Sequence, residues 1–242
     1  PYFAHGLTID PIGKKISKPY IDMTLSCMQE GGVHALQREN GSYFIPASQS
    51  YTKKHYVIEG DFSSAGYFFA IAALTKSKIK VSHLNPSSAQ ADLKFLHLLE
   101  KMGHRVTYFK DTICVEGKEL TPLDINMEDC PDQVMTMAVL AAFAQGKTCI
   151  SGVRSLRVKE TERVIALKTE LGKMGIRTED THDTLTIYGG SPHAAEIDTY
   201  GDHRIAMAFA VAGLHLPGMI IHHPEVVHKT FPAFWTCLKA LQ

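Results

Sequence analysis

An internal period of about seventy residues limits the possible folds of this chain more than any other feature of its sequence. Three segments open on an aspartate and run into an apolar, alanine-rich helix pattern: Asp61 (DFSSAGYFFAIAAL), Asp132 (DQVMTMAVLAAFAQG) and Asp202 (DHRIAMAFAVAGLHLPG). They are spaced 71 and 70 residues apart. Aspartate in such a place accepts hydrogen bonds from the unpaired N–H groups of a first helical turn. A second helix pattern keeps the period: residues 91–103 and 161–175 both end on Lys-Met-Gly, with glycine at a C′ position. Residues 22–32 match one period earlier and residues 230–242 one period later. Paired β-like runs follow the internal copies, at 105–109 with 112–116 and at 176–179 with 184–188. The unit therefore reads strand, helix, strand, helix, strand, strand, an α/β alternation. Solenoids use shorter repeats, so the expectation is a packed globule of about three units.

The repeat also sets the domain expectation. Residues 1–57 hold the later part of one unit and are read as the end of a first globule. Residues 58–242 are read as a second globule whose repeats start near Asp61, Asp132 and Asp202, the last unit lacking its closing strands. Open apolar faces and strand edges need covering, so the sequence is expected to be part of a larger protein.

Composition excludes several classes. Twenty-five basic residues balance twenty-five acidic ones, so bulk charge draws the chain to neither nucleic acid nor an anionic membrane. With 45% hydrophobic residues there is material for a sizeable core, which argues against disorder. The five cysteines, Cys27, Cys114, Cys130, Cys149 and Cys237, are widely spaced and form no C-x-x-C pair. That fits a reducing, cytoplasmic setting better than a disulfide scaffold. The most apolar stretch, residues 205–221, is broken by His215, Pro217 and two glycines, and is too short to span a bilayer. The thirteen histidines lack ligand spacing, and no phosphate-loop, dinucleotide or nucleophile-elbow motif occurs, so no metal is expected.

Polar chemistry collects in three places. Arg157-Val-Lys159-Glu160-Thr161-Glu162-Arg163 opens a predicted helix, with Lys159 and Arg163 four apart and so on one helical face. Asp202-His203-Arg204 opens another, and Lys229 precedes the last, at the repeat position of Glu160. Each could be a solvated first turn with an ordinary cap. If the units pack about a pseudo-threefold axis, however, equivalent helix starts converge. Asp61, Asp132 and Asp202 would then lie near Lys159, Arg163 and Arg204. Converging helix N-termini with Arg and Lys suit phosphate and carboxylate ligands.

Ser17-Lys-Pro-Tyr20-Ile-Asp-Met-Thr, Glu59-Gly-Asp-Phe-Ser-Ser-Ala, Pro131-Asp132-Gln-Val-Met-Thr, Arg157-Val-Lys-Glu-Thr-Glu-Arg163, Asp202-His-Arg204 and Lys229-Thr-Phe-Pro occur in that order. Together, over nearly the whole chain, they resemble the C-terminal part of the EPSP synthase (3-phosphoshikimate 1-carboxyvinyltransferase) family. The resemblance implies enolpyruvyl transferase-like globules built from βαβαββ units around a pseudo-threefold axis. It implies transfer of the enolpyruvyl group of phosphoenolpyruvate to the 5-hydroxyl of shikimate 3-phosphate, with release of phosphate, in aromatic amino acid biosynthesis. It also implies a glyphosate target. By the same resemblance, Asp132 and Glu160 would be catalytic, as base at the hydroxyl and acid at the methylene. Ser17, Tyr20, Ser155 and Lys159 would contact shikimate 3-phosphate. Arg163, Arg204 and Lys229 would bind phosphoenolpyruvate, with His203 close by. No metal or organic cofactor is implied, and the full-length protein would be a monomer. The family's N-terminal Lys and Arg, its Gly-rich loop and its Ser-Ser-Gln stretch have no counterpart in these residues. The chain by itself is therefore expected to be inactive, with the missing N-terminal part of the same protein as its partner. Two other readings stay open: a relative of the UDP-N-acetylglucosamine enolpyruvyl transferase, and a non-catalytic module of the same fold.

Overall fold

A computed structural model describes residues 1–13 and 15–241. They fall into two compact units, one of Pro1–Glu59 with Ala89–Ala91, the other of Gly60–Ser88 with the chain from Asp92 onward.

The first unit contains β1 (Leu7–Ile9), α1 (Lys18–Glu30), β2 (Leu36–Gln37) and β3 (Tyr43–Ile45), with the strands antiparallel in the order β1-β3-β2. Pro19 in its first turn lets α1 start earlier than the sequence pattern suggests, at Lys18 instead of residue 22. None of the residues of α1 is buried. Among the described residues of this unit, the buried side chains are Val33, Ser42, Tyr43 and Ile45.

The second unit runs α2 (Phe62–Thr75), β4 (Lys78–Ser82), α3 (Lys94–Lys101), β5 (Arg105–Tyr108), β6 (Thr112–Glu116), β7 (Asp124–Asn126), α4 (Val134–Phe143) and β8 (Gly146–Ser151). It continues with α5 (Arg163–Lys173), β9 (Arg177–Asp180), β10 (Thr184–Gly189), β11 (Glu196–Ile197), α6 (His203–Gly213), β12 (Ile220–Ile221) and α7 (Phe234–Lys239). The middle repeat carries the whole expected unit. Its sheet has the order β7-β8-β10-β9, with β7 parallel to β8 and the other pairs antiparallel. The repeat before it has only β4-β6-β5, because residues 46–61 form no strand ahead of α2. The repeat after it has only the parallel pair β11-β12, with no closing hairpin among the described residues.

The helices α2, α4 and α6 pack against one another, and most residues in each are buried. An apolar surface all round is what a helix needs when protein surrounds it on every side. The amphipathic α3 and α5 form the outer layer, α3 turning Phe95, Leu96, Leu98 and Leu99 inward. The starts of the central helices meet at one end. Gln133 Nε2 donates to the Phe62 and Ser63 carbonyls, each at 3.3 Å, and Arg204 reaches Asp132.

Two expected helix starts lie elsewhere. The helix after the Arg157 block begins at Arg163, with Glu162 as its cap, so Lys159 and Arg163 do not share a helical face. Lys159 instead follows a 3₁₀ turn, Arg154–Val158, in extended backbone. The last helix begins at Phe234, not residue 230, because a 3₁₀ turn over Pro224–Lys229 and then Pro232 precede it. The final residue of that expected helix, Gln242, lies outside the described residues.

Candidate active site

Asp61 and Asp202 cap their helices as the sequence suggests, accepting from the backbone N–H groups of Ser63 and Ser64 and of Arg204. Asp132 does not. It lies in a 3₁₀ turn, Pro131–Gln133, whose tighter geometry leads into α4 and leaves the carboxylate free to face α5 and α6. Arg163 Nη1 donates to its Oδ1 at 3.2 Å and Arg204 Nη2 to its Oδ2 at 2.9 Å. Lys159 Nζ lies 3.6 Å from Oδ1. Although off the helix, Lys159 still arrives at the same carboxylate as Arg163.

Arg163 is the hub. Its side chain is 1% exposed, and each arm of its fork meets an acid. Nε donates to Asp202 Oδ2 at 2.7 Å, and Nη2 donates to Glu160 Oε2 at 2.8 Å. The other Glu160 oxygen accepts from Lys229 Nζ at 2.7 Å. Four cations thus meet three carboxylates around one point, which leaves an excess positive charge in a partly dry setting. Interactions with an anion are stronger there than in bulk water. With both oxygens taken, Glu160 is held down at about 2, chiefly by the Lys229 hydrogen bond with help from Arg163 and against some desolvation. It is a firm carboxylate in this arrangement.

Near Arg204 lie two buried groups, Tyr67 and Asp92, that the motifs do not announce. Tyr67, on α2, is 1% exposed; burial pushes its hydroxyl up to about 12 against the pull of Arg204, so it stays neutral. Asp92, 5% exposed, accepts from the Ser63 hydroxyl, and burial pushes its carboxyl up to about 6. Tyr67 stands among Ala65, Gly66 and Phe68, and nothing in that run marks it out as polar in role. Asp92 looks like an ordinary helix-leading acid. His203 is 2% exposed with Nδ1 3.8 Å from Asp202 Oδ1, and desolvation followed by Arg204 lowers its pKa, so the ring is neutral.

The structure therefore brings together Asp132, Lys159, Glu160, Arg163, Arg204 and Lys229, with His203 beside them. Ser155 stands half-buried in the turn that leads to Lys159, outside this network of ion pairs. Ser17 and Tyr20 belong to the first unit. Ser17 is the residue before α1, in left-handed backbone with φ 54°, and Tyr20 is half-buried in the first helical turn. Arg157, the first cation of its block, is structural: it donates to Glu162 at 2.8 Å and Asp180 at 2.7 Å, tying the turn to the β9-β10 hairpin. Among the described residues, no group of three or more His, Cys, Asp or Glu side chains could hold a metal ion. Nor is any helix among them long and apolar enough to cross a membrane.

Comparison with known proteins covers all these segments. The sequence profile of EPSP synthase (3-phosphoshikimate 1-carboxyvinyltransferase) matches residues 1–238. The 3-phosphoshikimate 1-carboxyvinyltransferase of Syntrophobacter fumaroxidans is 42% identical over 239 residues, covering 98% of this chain and 56% of the relative. The enzyme of the same name from Nostoc punctiforme is 41% identical over 237 residues, with the same coverage of 98% and 56%. This chain spans about half the length of the curated relatives it matches. In fold it is similar to EPSP synthase from Acinetobacter baumannii, with a TM-score of 0.79 at 24% identity over 98% of this chain and 56% of that one. It is also similar to the enolpyruvyl transferase NikO from Streptomyces tendae, with a TM-score of 0.73 at 19% identity over 98% and 55%. Since the profile runs unbroken through every element that carries the Arg163 cluster, the chain belongs to the EPSP synthase (3-phosphoshikimate 1-carboxyvinyltransferase) family.

Proposed function

We propose that these residues serve the transfer of the enolpyruvyl group from phosphoenolpyruvate to the 5-hydroxyl of shikimate 3-phosphate. The observation that carries the reading is the Arg163 hub, where two accessible carboxylates, Asp132 and Glu160, share four cations. Addition of an alcohol across an enol phosphate needs a base at the hydroxyl and an acid at the methylene carbon. Asp132 takes the hydroxyl proton as the oxygen bonds to C2 of phosphoenolpyruvate, and Glu160 gives a proton to C3, which becomes a methyl group. Elimination then breaks the C2–O bond to phosphate. A methyl proton returns to Glu160, and the leaving phosphate takes the proton held by Asp132.

Arg163, Arg204 and Lys229 hold the phosphate and carboxylate of phosphoenolpyruvate, with His203 at the edge, and stabilise charge on the departing phosphate. Lys159, Ser155, Ser17 and Tyr20 are assigned to shikimate 3-phosphate. The ion pairs give Glu160 its timing. Lys229 and Arg163 hold it as a carboxylate, and these are the cations the substrate anions recruit. As they turn to the substrate, the proton affinity of Glu160 rises and it can act as the acid. We also place the reaction in the cytoplasm, where the five free thiols would persist, and in a monomer at full length.

The test joins this chain to the part of the Syntrophobacter fumaroxidans relative that it does not span. Phosphate release that requires both substrates is expected from the joined protein, with little or none from the chain alone. Glu160→Gln should lower kcat by roughly 10²- to 10⁴-fold, the usual worth of a positioned acid. Unchanged turnover in that variant would defeat the assignment and favour a non-catalytic module. Phosphate release with UDP-N-acetylglucosamine in place of shikimate 3-phosphate would favour the sister enzyme.

A further inference from the structure

Arg163 opens α5, and two turns later on the same face stands Glu170, which is 0% exposed. A buried carboxylate is costly unless its oxygens are filled. Those of Glu170 are: Oε1 accepts from the Tyr200 hydroxyl at 2.6 Å, and Oε2 accepts from the Asp198 backbone N–H at 3.1 Å with Lys173 Nζ at 2.9 Å. Lys173 also donates to Asp198 Oδ2 at 2.8 Å. All of this grips the short segment between β11 and α6.

That segment has little to hold it in shape by itself. Tyr200 and Gly201 are both left-handed, with φ of 54° and 69°, and a bulky aromatic residue pays for that conformation unless its surroundings impose it. The bond from the Tyr200 hydroxyl to Glu170 imposes it. The segment ends at Asp202, whose N–H donates to the Thr199 carbonyl at 2.8 Å and whose carboxylate is held by Arg163. One helix therefore pins the segment at two points two turns apart. Its next residues are His203 and Arg204, and Arg204 is the cation that reaches Asp132 from this side.

We propose that Glu170 is a positioning residue for the anion site: by holding Asp198 and Tyr200 against α5 it fixes the segment that aims Arg204 at Asp132 and at the phosphoenolpyruvate anion. The second half of this statement rests on the function proposed above; the first half does not. The carboxylate is needed because its two oxygens face three donors. A glutamine could still accept from Tyr200, but its NH₂ would confront the Asp198 N–H and Lys173. Shikimate 3-phosphate, assigned to Lys159, Ser155, Ser17 and Tyr20, none of them in this segment, should be indifferent to the change.

The experiment compares the joined protein described above with its Tyr200→Phe and Glu170→Gln variants. The Arg204 Nε–Hε signal is followed by ¹H–¹⁵N NMR, and dissociation constants are measured for phosphoenolpyruvate and for shikimate 3-phosphate. The expected result is a shifted or broadened Arg204 signal, with phosphoenolpyruvate weakened about 3- to 10-fold, the worth of one or two hydrogen bonds. Binding of shikimate 3-phosphate should stay within about 2-fold, since none of those bonds is lost at its site. Should Glu170→Gln fail to fold, Tyr200→Phe decides alone. An unmoved Arg204 signal overturns the proposal, and so does an equal loss for both ligands, which would mark general destabilisation. If the unaltered joined protein binds no phosphoenolpyruvate, the function proposal falls, while the Arg204 signal still judges the role of Glu170.

Discussion

Asp92 shows how a buried acid near the cluster makes stability depend on pH. Burial raises its carboxyl to about 6 despite the Ser63 hydrogen bond and nearby Arg204, so the folded chain binds this proton more tightly than the unfolded chain does. The resulting stabilisation is fully present below the ordinary aspartate value near 4 and is lost as the pH rises through about 6. Asp92→Asn keeps the shape and an acceptor for Ser63 but carries no charge at any pH. Relative to the unaltered chain, the variant should therefore gain roughly 2 kcal/mol between pH 4 and pH 7. Urea unfolding at both pH values measures this, and the shared histidine contributions cancel in the comparison. A difference that did not change with pH would show that Asp92 titrates normally. The residue-scale chemistry was only partly legible in the sequence. Arg163, Glu160 and Arg204 lie in tight charged blocks and announce themselves. Asp92, Tyr67 and Glu170 gain their importance from burial, which no local pattern records.

At the scale of elements, the strands approach the central helices closely through glycine. A Cβ on Gly117, just after β6, would sit 1.9 Å from the Ala72 carbonyl oxygen of α2. One on Gly189, at the end of β10, would sit 2.1 Å from that of Ala141 in α4. The two glycines occupy the same place in successive repeats, and at neither is a left-handed backbone the reason. The reason is the contact itself: only a missing side chain lets the hairpin lie directly against the helix end. Gly189→Ala should cost about 1–3 kcal/mol or more through overpacking, read as a lowered urea midpoint with an unchanged slope. A loss under about 0.5 kcal/mol would mean the helix end gives way easily. The elements themselves were readable, because aspartate starts and Lys-Met-Gly ends punctuate them. Apart from the early start of α1, the expected boundaries fail where a 3₁₀ turn replaces a first α-turn, at Asp132, at Lys159 and before Phe234. A change of turn type alters which side chains share a face without altering the hydrophobic pattern, so periodicity cannot detect it.

At the scale of the whole molecule, the seventy-residue period was the most legible feature, because three buried helices need three alanine-rich segments. The period says nothing about how stability is shared along the chain, and burial does. In α4, residues Val134 to Ala142 are all buried, inside a core that also includes most of α2 and α6. In α1 no residue is buried, and its unit has few buried side chains among the described residues. A 13-residue helix without a packed face is marginal in water, since its nucleation cost is offset mainly by tertiary packing. Backbone hydrogen bonds in α1 should therefore open by local fluctuation, and those of α4 only with unfolding of the core. Hydrogen exchange followed by mass spectrometry can separate peptides covering residues 18–30 from those covering 134–143. The first set should exchange at least ~100-fold faster, a gap of about 3 kcal/mol in opening free energy. Adding urea well below the main transition should speed exchange in α4 while leaving α1 nearly unchanged, because only the larger opening exposes much surface. Equal protection of the two helices would mean that α1 is held by contacts its exposure does not reveal, and that the chain opens as one cooperative body.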